Sequence, residues 1–543
     1  MIENASRDGD AWPNLASSHK GESLTGIPNT TNRTSPAASG NVPPMMAPAR
    51  PAAATPDTAS SHASAPVSRA RARYFNLRNS ERYLVLGFLD LLLVNVALVV
   101  ALALAGEFTL TLGNIWANNK WFITLAIVWL GCANFFDCYS LARAASTTAS
   151  MRNTLLAVIA TIIVYTLIPY LTPPPTSRGT VFYFAALAII LLLGWRILYA
   201  QLFVQPWFQQ RALVVGAGAA GLALITAMRA ARRDDANPYR GTGYEIVGFI
   251  DDNTRLRHEG VEGVPVLGDN QLMAEMAQKL SVNEIILAIT NAQTISDEMM
   301  NALLNCRELG LRVVTMATVY ERLTGRVPID YVGRDLQLVL PMDDNAMERA
   351  FKIIKRFIDF VTALLGIAAM GVALVPIWII NRFTSPGPLF YKQRRVGQGG
   401  KIFAMYKFRS MRPDAERGTG AVWAKHGDDR ITPAGKFMRK TRVDELPQFI
   451  NVLKGEMSLI GPRPERPEFV NALALMVPYY RARHAVKPGI TGWAQVKFGY
   501  GSTHQDTRIK LEYDLYYVKH ASPLLDTLIT LQTPLIMLLG RGT

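Results

Sequence analysis

The sequence predicts a membrane protein in three folded parts: a four-helix transmembrane bundle, a Rossmann-like α/β domain, and an α/β monotopic domain held to the bilayer by a re-entrant membrane helix. Three observations predict it. Four apolar runs follow one another between residues 83 and 204, each near the ~20 residues that cross a bilayer core. Short apolar strands then alternate with helical stretches behind a glycine-rich turn. A fifth apolar run is interrupted by a proline and is basic at both ends.

Residues 1–68 are rich in Ala, Pro, Ser, Thr and Asn. They carry too little apolar surface to offset the entropy of ordering, so they are expected to be disordered. They lack the basic start and short apolar core of a secretory signal.

The bundle is assigned to residues 69–206. Its runs are 83–105, 121–139, 154–171 and 180–204. Arg69, Arg71, Arg73, Arg78 and Arg82 precede the first, and Arg143 and Arg152 lie between the second and third. The other loops are poorer in basic residues, so the positive-inside rule puts both ends of the bundle in the cytoplasm.

Residues 207–340 form the Rossmann-like domain. "RALVVGAGAAG" reads as a strand entering a turn with Gly216, Gly218 and Gly221 in GxGxxG spacing, and "YEIVGFIDD", "VPVLGD", "EIILAI" and "LRVVTM" supply further strands. A nucleotide could rest on such a turn. The acid that a dinucleotide site places about 20 residues on is not at the end of an obvious second strand, and no catalytic His, Tyr-Lys or Cys accompanies the turn. A regulatory or vestigial domain is therefore expected rather than a dehydrogenase. "VGRDLQLVLP" reads as a strand leading out.

In the last domain, 341–543, the run Phe357–Ile380 is long enough to span but contains Pro376. Lys352, Lys355 and Arg356 precede it, and Arg382, Lys392, Arg394 and Arg395 follow. Two basic flanks suit a helix-break-helix hairpin, residues 351–382, that returns to the cytoplasmic face. The final apolar stretch, "PLLDTLITLQTPLIMLLG", reads as an interfacial helix.

A net charge of +15 on a chain that is half apolar points to an anionic membrane surface or to phosphate-bearing substrates. Nucleic acid is not expected, since no zinc-finger, RRM or helix-turn-helix signature occurs. Three cysteines without metal-ligand spacing argue against a disulfide framework and a zinc site.

The chemistry concentrates in "TRVDELPQFINVLKGEMSLIGPRPE". Thr432-Pro433 starts one helix. A second begins at Asp444, with Leu446, Phe449, Ile450 and Leu453 on one face and Gly455 closing it. Asp444 could be no more than an N-cap, but a helix N-terminus also attracts phosphate. Arg439, Lys440 and Arg442 come just before it. Arg463 stands between Pro462 and Pro464, which present its fork to phosphate oxygens at little entropic cost. In "MYKFRSMR", strand alternation puts Lys407 and Arg409 on one face, with Arg412 beyond. A carboxylate attacking a pyrophosphate needs such cations and a divalent metal against like-charge repulsion. Magnesium suits carboxylate and phosphate oxygens.

"SPGPLFYKQRRVG", "YKFRSMR", "TRVDELPQFINVLKGEMSLIGPRPE", "KPGITGWAQV" and "YDLYYV", in this order, resemble the bacterial sugar transferase family, the monotopic phosphoglycosyl transferases, over residues 347–543. The bundle and Rossmann-like domain ahead of them resemble its large form, similar to undecaprenyl-phosphate glucose phosphotransferases. The resemblance implies a ping-pong reaction. Asp444 would attack the sugar-bearing phosphorus of a UDP-sugar, with UDP-glucose expected, and release UMP. Undecaprenyl phosphate would then take the phosphosugar, at the bacterial inner membrane with the catalytic domain in the cytoplasm, as the first membrane step of exopolysaccharide or capsule synthesis. It implies Asp444 and Glu445 as catalytic and Mg2+-binding acids. Arg463, Lys407, Arg409, Arg442 and Asp514 would serve phosphate and nucleotide binding. "KPGITGWAQ" would be a nucleotide loop or a structural turn, Tyr516 and Tyr517 packing residues, and a homodimer plausible. Two rivals predict otherwise. A membrane-anchored NAD-dependent sugar-nucleotide enzyme needs a Tyr-Lys pair that residues 211–324 do not offer. A non-enzymatic sensor or scaffold would be indifferent to Asp444.

Overall fold

The computed structural model describes residues 79–538, apart from 107–108, 110, 140–143, 145–146, 174–177, 203–209, 231–241, 254, 257–259, 333–345, 413–414, 416–428 and 499–502. The expectations for residues 1–68, for the arginines at 69, 71, 73, 78 and 143 and for the strand over 333–341 lie outside the described residues.

Residues rich in Leu, Val, Ile and Ala with few charges keep their backbone bonds internal as helices. They form α1 (Asn79–Leu104), α2 (Leu112–Ala117), α3 (Asn119–Phe135), α4 (Thr147–Thr166) and α5 (Arg178–Leu202). α1 packs on α5, α3 on α4 and α4 on α5, around Leu86, Leu98, Leu125, Trp129 and Leu192. Asp90 of α1 pairs with Arg196 of α5 at 2.5 Å, both fully buried. Among the described residues four helices are long and apolar enough to cross a membrane, but the set differs from the expected one: α1, α4, α5 and the fifth run. The second run ends early. α3 has 17 residues and stops at Phe135, because Asp137 turns the chain at φ 54°.

The next domain has five parallel strands in the order β3-β2-β1-β4-β5: β1 Gln210–Val215, β2 Tyr244–Ile250, β3 Val266–Gly268, β4 Glu284–Leu287, β5 Arg312–Thr315. Helices α6 (Ala219–Ala230), α7 (Met273–Lys279), α8 (Asp297–Glu308) and α9 (Met316–Thr324) accompany them, and an apolar core fills each face of the sheet. This is the doubly wound order expected. One expectation is corrected: an acid does stand at the end of the second strand. Asp251 follows β2 directly, and its Oδ2 accepts from Ala217 N in the glycine turn at 2.7 Å.

The fifth run is α10 (Ala346–Thr384), 39 residues that form one helix with Pro376 inside it, where a helix-break-helix over 351–382 was expected. Tertiary contacts run along the length of this helix. Arg356, Asp359, Ala363, Gly366, Met370, Ala373, Ile377 and Asn381 all touch the domain that follows, at helical three- and four-residue spacing. One stripe of the helix therefore lies along that domain from end to end. The opposite face exposes Phe357, Leu365, Val372, Trp378 and Phe383.

The hairpin β6 (Phe390–Val396) and β7 (Ile402–Phe408) follows, then α11 (Pro433–Lys440), α12 (Gln448–Lys454), β8 (Ser458–Ile460), α13 (Pro467–Met476), β9 (Gly489–Thr491), α14 (Trp493–Lys497), α15 (His504–His520) and α16 (Pro523–Leu538). β8 pairs with β9 in parallel. The last apolar stretch is α16. It packs on α3 and on β8–β9, and Gln532 donates to Asp137 Oδ1 at 3.2 Å, so it joins this domain to the end of α3. α15 meets the Rossmann-like domain. Glu321 accepts from Lys519 and His520, Arg326 pairs with Glu512, and Trp493 Nε1 donates to Gly325 O.

Candidate active site

Residues 440–465 are placed by three neighbours. α11 starts as expected: Thr432 accepts from Gly435 N, and Pro433 occupies the first turn. The chain then reverses at Arg442, whose φ of 58° is left-handed, into a 3-10 turn Val443–Glu445. Asp444 is therefore not a helix N-cap, since α12 begins only at Gln448, after Pro447. The left-handed residue and the proline cut one expected helix into two turns, and both acids face inward, about 5–6% exposed.

α12 is fastened on both sides. Asn451, fully buried, accepts from Tyr406 N (3.1 Å) and donates to Ala404 O (2.8 Å), which ties the helix to β7. Arg356 of α10 donates to Val452 O and Leu453 O, both at 2.8 Å, at the helix's negative end. Gly455 closes α12 at φ 82°. Asp359 Oδ1 accepts from Ser458 Oγ and Leu459 N, both 2.9 Å, and so holds β8.

β8 leads into Gly461-Pro462-Arg463-Pro464. Gly461 N donates to Thr491 O of β9 at 2.9 Å. Gly489 and Gly492 lie so close to Gly461 that a Cβ on either would overlap its backbone. "KPGITGW" thus does structural work behind the arginine, the turn role left open from sequence. Arg395 of β6 donates to Pro464 O at 2.9 Å. Arg463, gripped along its backbone, donates through Nη2 to Glu445 Oε1 at 2.8 Å. Lys407 Nζ reaches the same oxygen at 3.1 Å, and Arg442 Nη1 at 3.5 Å.

Asp444, Glu445, Lys407, Arg442 and Arg463 thus come together. Two predicted residues do not join them. Arg409 turns away at the end of β7 and binds the end of α10, donating to Asn381 Oδ1 at 2.7 Å and to Ser385 O. The alternation argument fails because β7 stops at Phe408 and Arg409 lies beyond the pleat. Asp514, on α15, meets neither acid; its Oδ2 accepts from Arg483 Nη2 at 2.6 Å. Sequence reasoning missed Arg483, Asn451 and Asp359. Each is a buried polar residue whose partner is distant in sequence, and local pattern carries no sign of that.

The two acids have opposite electrostatics. Burial pushes the Asp444 carboxyl up from its ordinary value, against the pull of Lys407, and the Glu445 charge adds to the rise. Burial would also raise Glu445, but Arg463, Lys407 and Arg442 together hold it well below the usual carboxylate range. Glu445 is thus a fixed anion neutralised by three cations. Asp444 Oδ1 is buried and has no hydrogen-bond partner among the described residues. A buried, unpaired carboxylate oxygen beside surplus positive charge is poised to meet an electrophilic phosphorus.

The family model described as bacterial sugar transferase matches residues 350–540, and one described as a CoA-binding domain matches residues 134–315. The chain is similar to the UDP-N-acetylgalactosamine-undecaprenyl-phosphate N-acetylgalactosaminephosphotransferase of Aeromonas hydrophila. They are 38% identical over 305 residues, 56% of this chain and 69% of that protein. It is also similar to the UDP-glucose:undecaprenyl-phosphate glucose-1-phosphate transferase of Xanthomonas campestris pv. campestris, 31% identical over 310 residues, 56% of this chain and 63% of that protein. The matched stretch thus spans somewhat under two thirds of the second relative. The exopolysaccharide production protein PSS of Rhizobium leguminosarum bv. phaseoli is 37% identical over 195 residues, 35% of this chain but 97% of that protein.

Proposed function

The chain is an enzyme of the bacterial sugar transferase family, and from that premise we propose that it moves a hexose 1-phosphate from a UDP-sugar to undecaprenyl phosphate. The observation that carries the reading is the unpaired, buried Oδ1 of Asp444 beside the cation-neutralised Glu445. Asp444 attacks the phosphorus that bears the sugar. A bond forms between its carboxylate oxygen and that phosphorus, the bond to the bridging oxygen breaks, and UMP leaves with the electron pair. An oxygen of undecaprenyl phosphate then attacks the same phosphorus, frees the Asp444 carboxylate and yields a diphosphate-linked lipid sugar. Arg463, Lys407 and Arg442 offset charge on the diphosphate.

Mg2+ would be held mainly by substrate phosphate oxygens beside the Asp444 carboxylate, since Glu445, expected as a second ligand, carries three cations and no cluster of three metal-ligating side chains forms among the described residues. When bound it would further neutralise the diphosphate. Glu445, with three cations on its Oε1, serves this arrangement as their anchor.

We assign α10 to the cytoplasmic membrane interface rather than to a crossing. Arg356 near its start and Asn381 near its end both bind the same α/β domain, while the outward face is apolar. α16 attaches this domain to the end of α3 that leads toward Arg152, the side that positive charge marks as cytoplasmic. Soluble UDP-sugar and membrane-borne acceptor would meet there. The relatives' names divide between N-acetylgalactosamine and glucose, so the donor class is a UDP-hexose or its N-acetyl form, with UDP-glucose the first to test.

The test is UMP release from full-length enzyme in detergent with Mg2+ and a UDP-sugar panel, with and without undecaprenyl phosphate. Lipid-free enzyme should release up to one UMP per site and retain phosphosugar covalently. Steady turnover with no adduct at any time would sink the covalent mechanism, and no turnover with any UDP-sugar would sink the substrate class.

A further inference from the structure

We propose that Arg483 and Asp514 are positioning residues that set the placement of Arg463 and touch no substrate, a role that rests on the function proposed above. Arg463 is bound at both ends. Its guanidinium reaches Glu445, and its carbonyl accepts from Arg483 Nη2 at 2.9 Å. The same Nη2 donates to Asp514 Oδ2 at 2.6 Å, and Nη1 donates to Tyr480 OH at 2.8 Å. Arg483 and Asp514 are each more than nine-tenths buried, and so is Tyr480. A buried arginine is costly unless its charge and donors are met. Here an acid from α15 meets the charge, and one of the donors is spent on the carbonyl of the residue that faces the reacting acids.

The geometry makes this a lever rather than general packing. Prolines on both sides of Arg463 leave its backbone few alternatives, so a hydrogen bond at its carbonyl fixes the plane from which the side chain departs. Arg395 holds the next carbonyl, Pro464 O, from the opposite strand. Gly489 N donates to Pro462 O at 3.0 Å, so loss of the Arg483 contact would release the middle carbonyl of Pro462–Pro464 between two held neighbours. Arg463 would then reach Glu445 in several orientations, and the charge around Asp444 would blur. Tyr479, at φ 60°, turns the chain into the 3-10 segment Tyr480–Ala485, which aims Arg483 back at Arg463. Asp514 comes from α15, which begins at His504, 21 residues after Arg483, so the contact forms only in the folded domain.

A double-mutant cycle tests this on full-length enzyme in detergent, read as UMP release in the first half-reaction and as UDP affinity by calorimetry. Arg483→Lys and Asp514→Asn should each lower kcat/KM about 10- to 100-fold and weaken UDP binding in the wild-type background. In an Arg463→Lys background each should cost less than about 3-fold, because the group they position has already lost its fork. Tyr480→Phe, which removes one hydroxyl and little volume, should show the same coupling at smaller amplitude. Equal losses in both backgrounds, or losses that follow a fall in melting temperature, would overturn the proposal. If the wild type binds UDP but releases no UMP, the functional reading fails separately, and the UDP cycle still decides the positioning claim.

Discussion

Arg463 Nη2 lies 2.8 Å from Glu445 Oε1, across 18 residues of chain that include all of α12. The pair closes the segment after β8, which carries the arginine, onto the turn that carries Asp444. Arg463 is still more than a third exposed, so one face of its fork remains open to a phosphate. Arg463→Lys keeps the charge but cannot hold Glu445 and phosphate together. It should cost roughly 1–3 kcal/mol in kcat/KM, read from initial rates of UMP release.

Asp444→Asn preserves shape and removes the nucleophilic oxygen's charge. Both the covalent adduct and turnover should fall by about three orders of magnitude or more, and added Mg2+ should not restore them. Intact-mass measurement of enzyme with UDP-sugar alone decides it. An adduct on the Asn variant would move the nucleophile elsewhere.

Asp514 gives a pH signature. Burial raises its carboxyl to about 6, against the pull of Arg483, with Glu465 adding to the rise and Lys510 opposing it. A carboxyl raised in the fold binds its proton more tightly there than in the unfolded chain. Its contribution to stability is present at low pH and is lost as pH climbs through about 6. Between pH 5 and 7.5 that loss is about 1 kcal/mol from this group. Activity should run the other way, since Arg483 needs the ionised partner. Asp514→Asn should reduce the pH dependence of the melting temperature over this range, and an unchanged slope would show that Asp514 titrates elsewhere.

Gly366 faces the ring of Phe449, and a Cβ there would overlap it. Gly366→Ala should push α12 away from α10, costing about 1–3 kcal/mol of stability and disturbing the turn that bears Asp444. Phe449→Leu should recover part of the loss in the double variant. Thermal melts and UMP release on the three variants provide the check.

For α10, cysteines introduced at Arg349 and at Gly387, on a background without native cysteines, should label from the cytoplasmic side only. Labelling of the two positions from opposite sides of inverted and right-side-out vesicles would require a crossing helix.

Much of this was legible in the sequence, and the reason is local. Twenty-residue apolar runs, a glycine turn behind a strand, a Thr-Pro helix start and a proline-flanked arginine each draw their meaning from neighbours a few residues away. The acid pair and the cations near it could be named for the same reason. What tertiary structure alone decided involves partners far apart in the chain. α10 continues through Pro376, and contacts from Arg356 to Asn381 tie it to one domain. Arg409 was assigned to the site by strand alternation but binds the end of α10 instead. Asp251 caps the glycine turn from a second strand that begins well after it. The division of labour between Asp444 and Glu445 is also invisible in the sequence, where they are simply adjacent acids. Only the fold delivers Lys407 and Arg463 to one of them and leaves the other's oxygen bare, because burial and charge depend on three-dimensional proximity rather than on order along the chain.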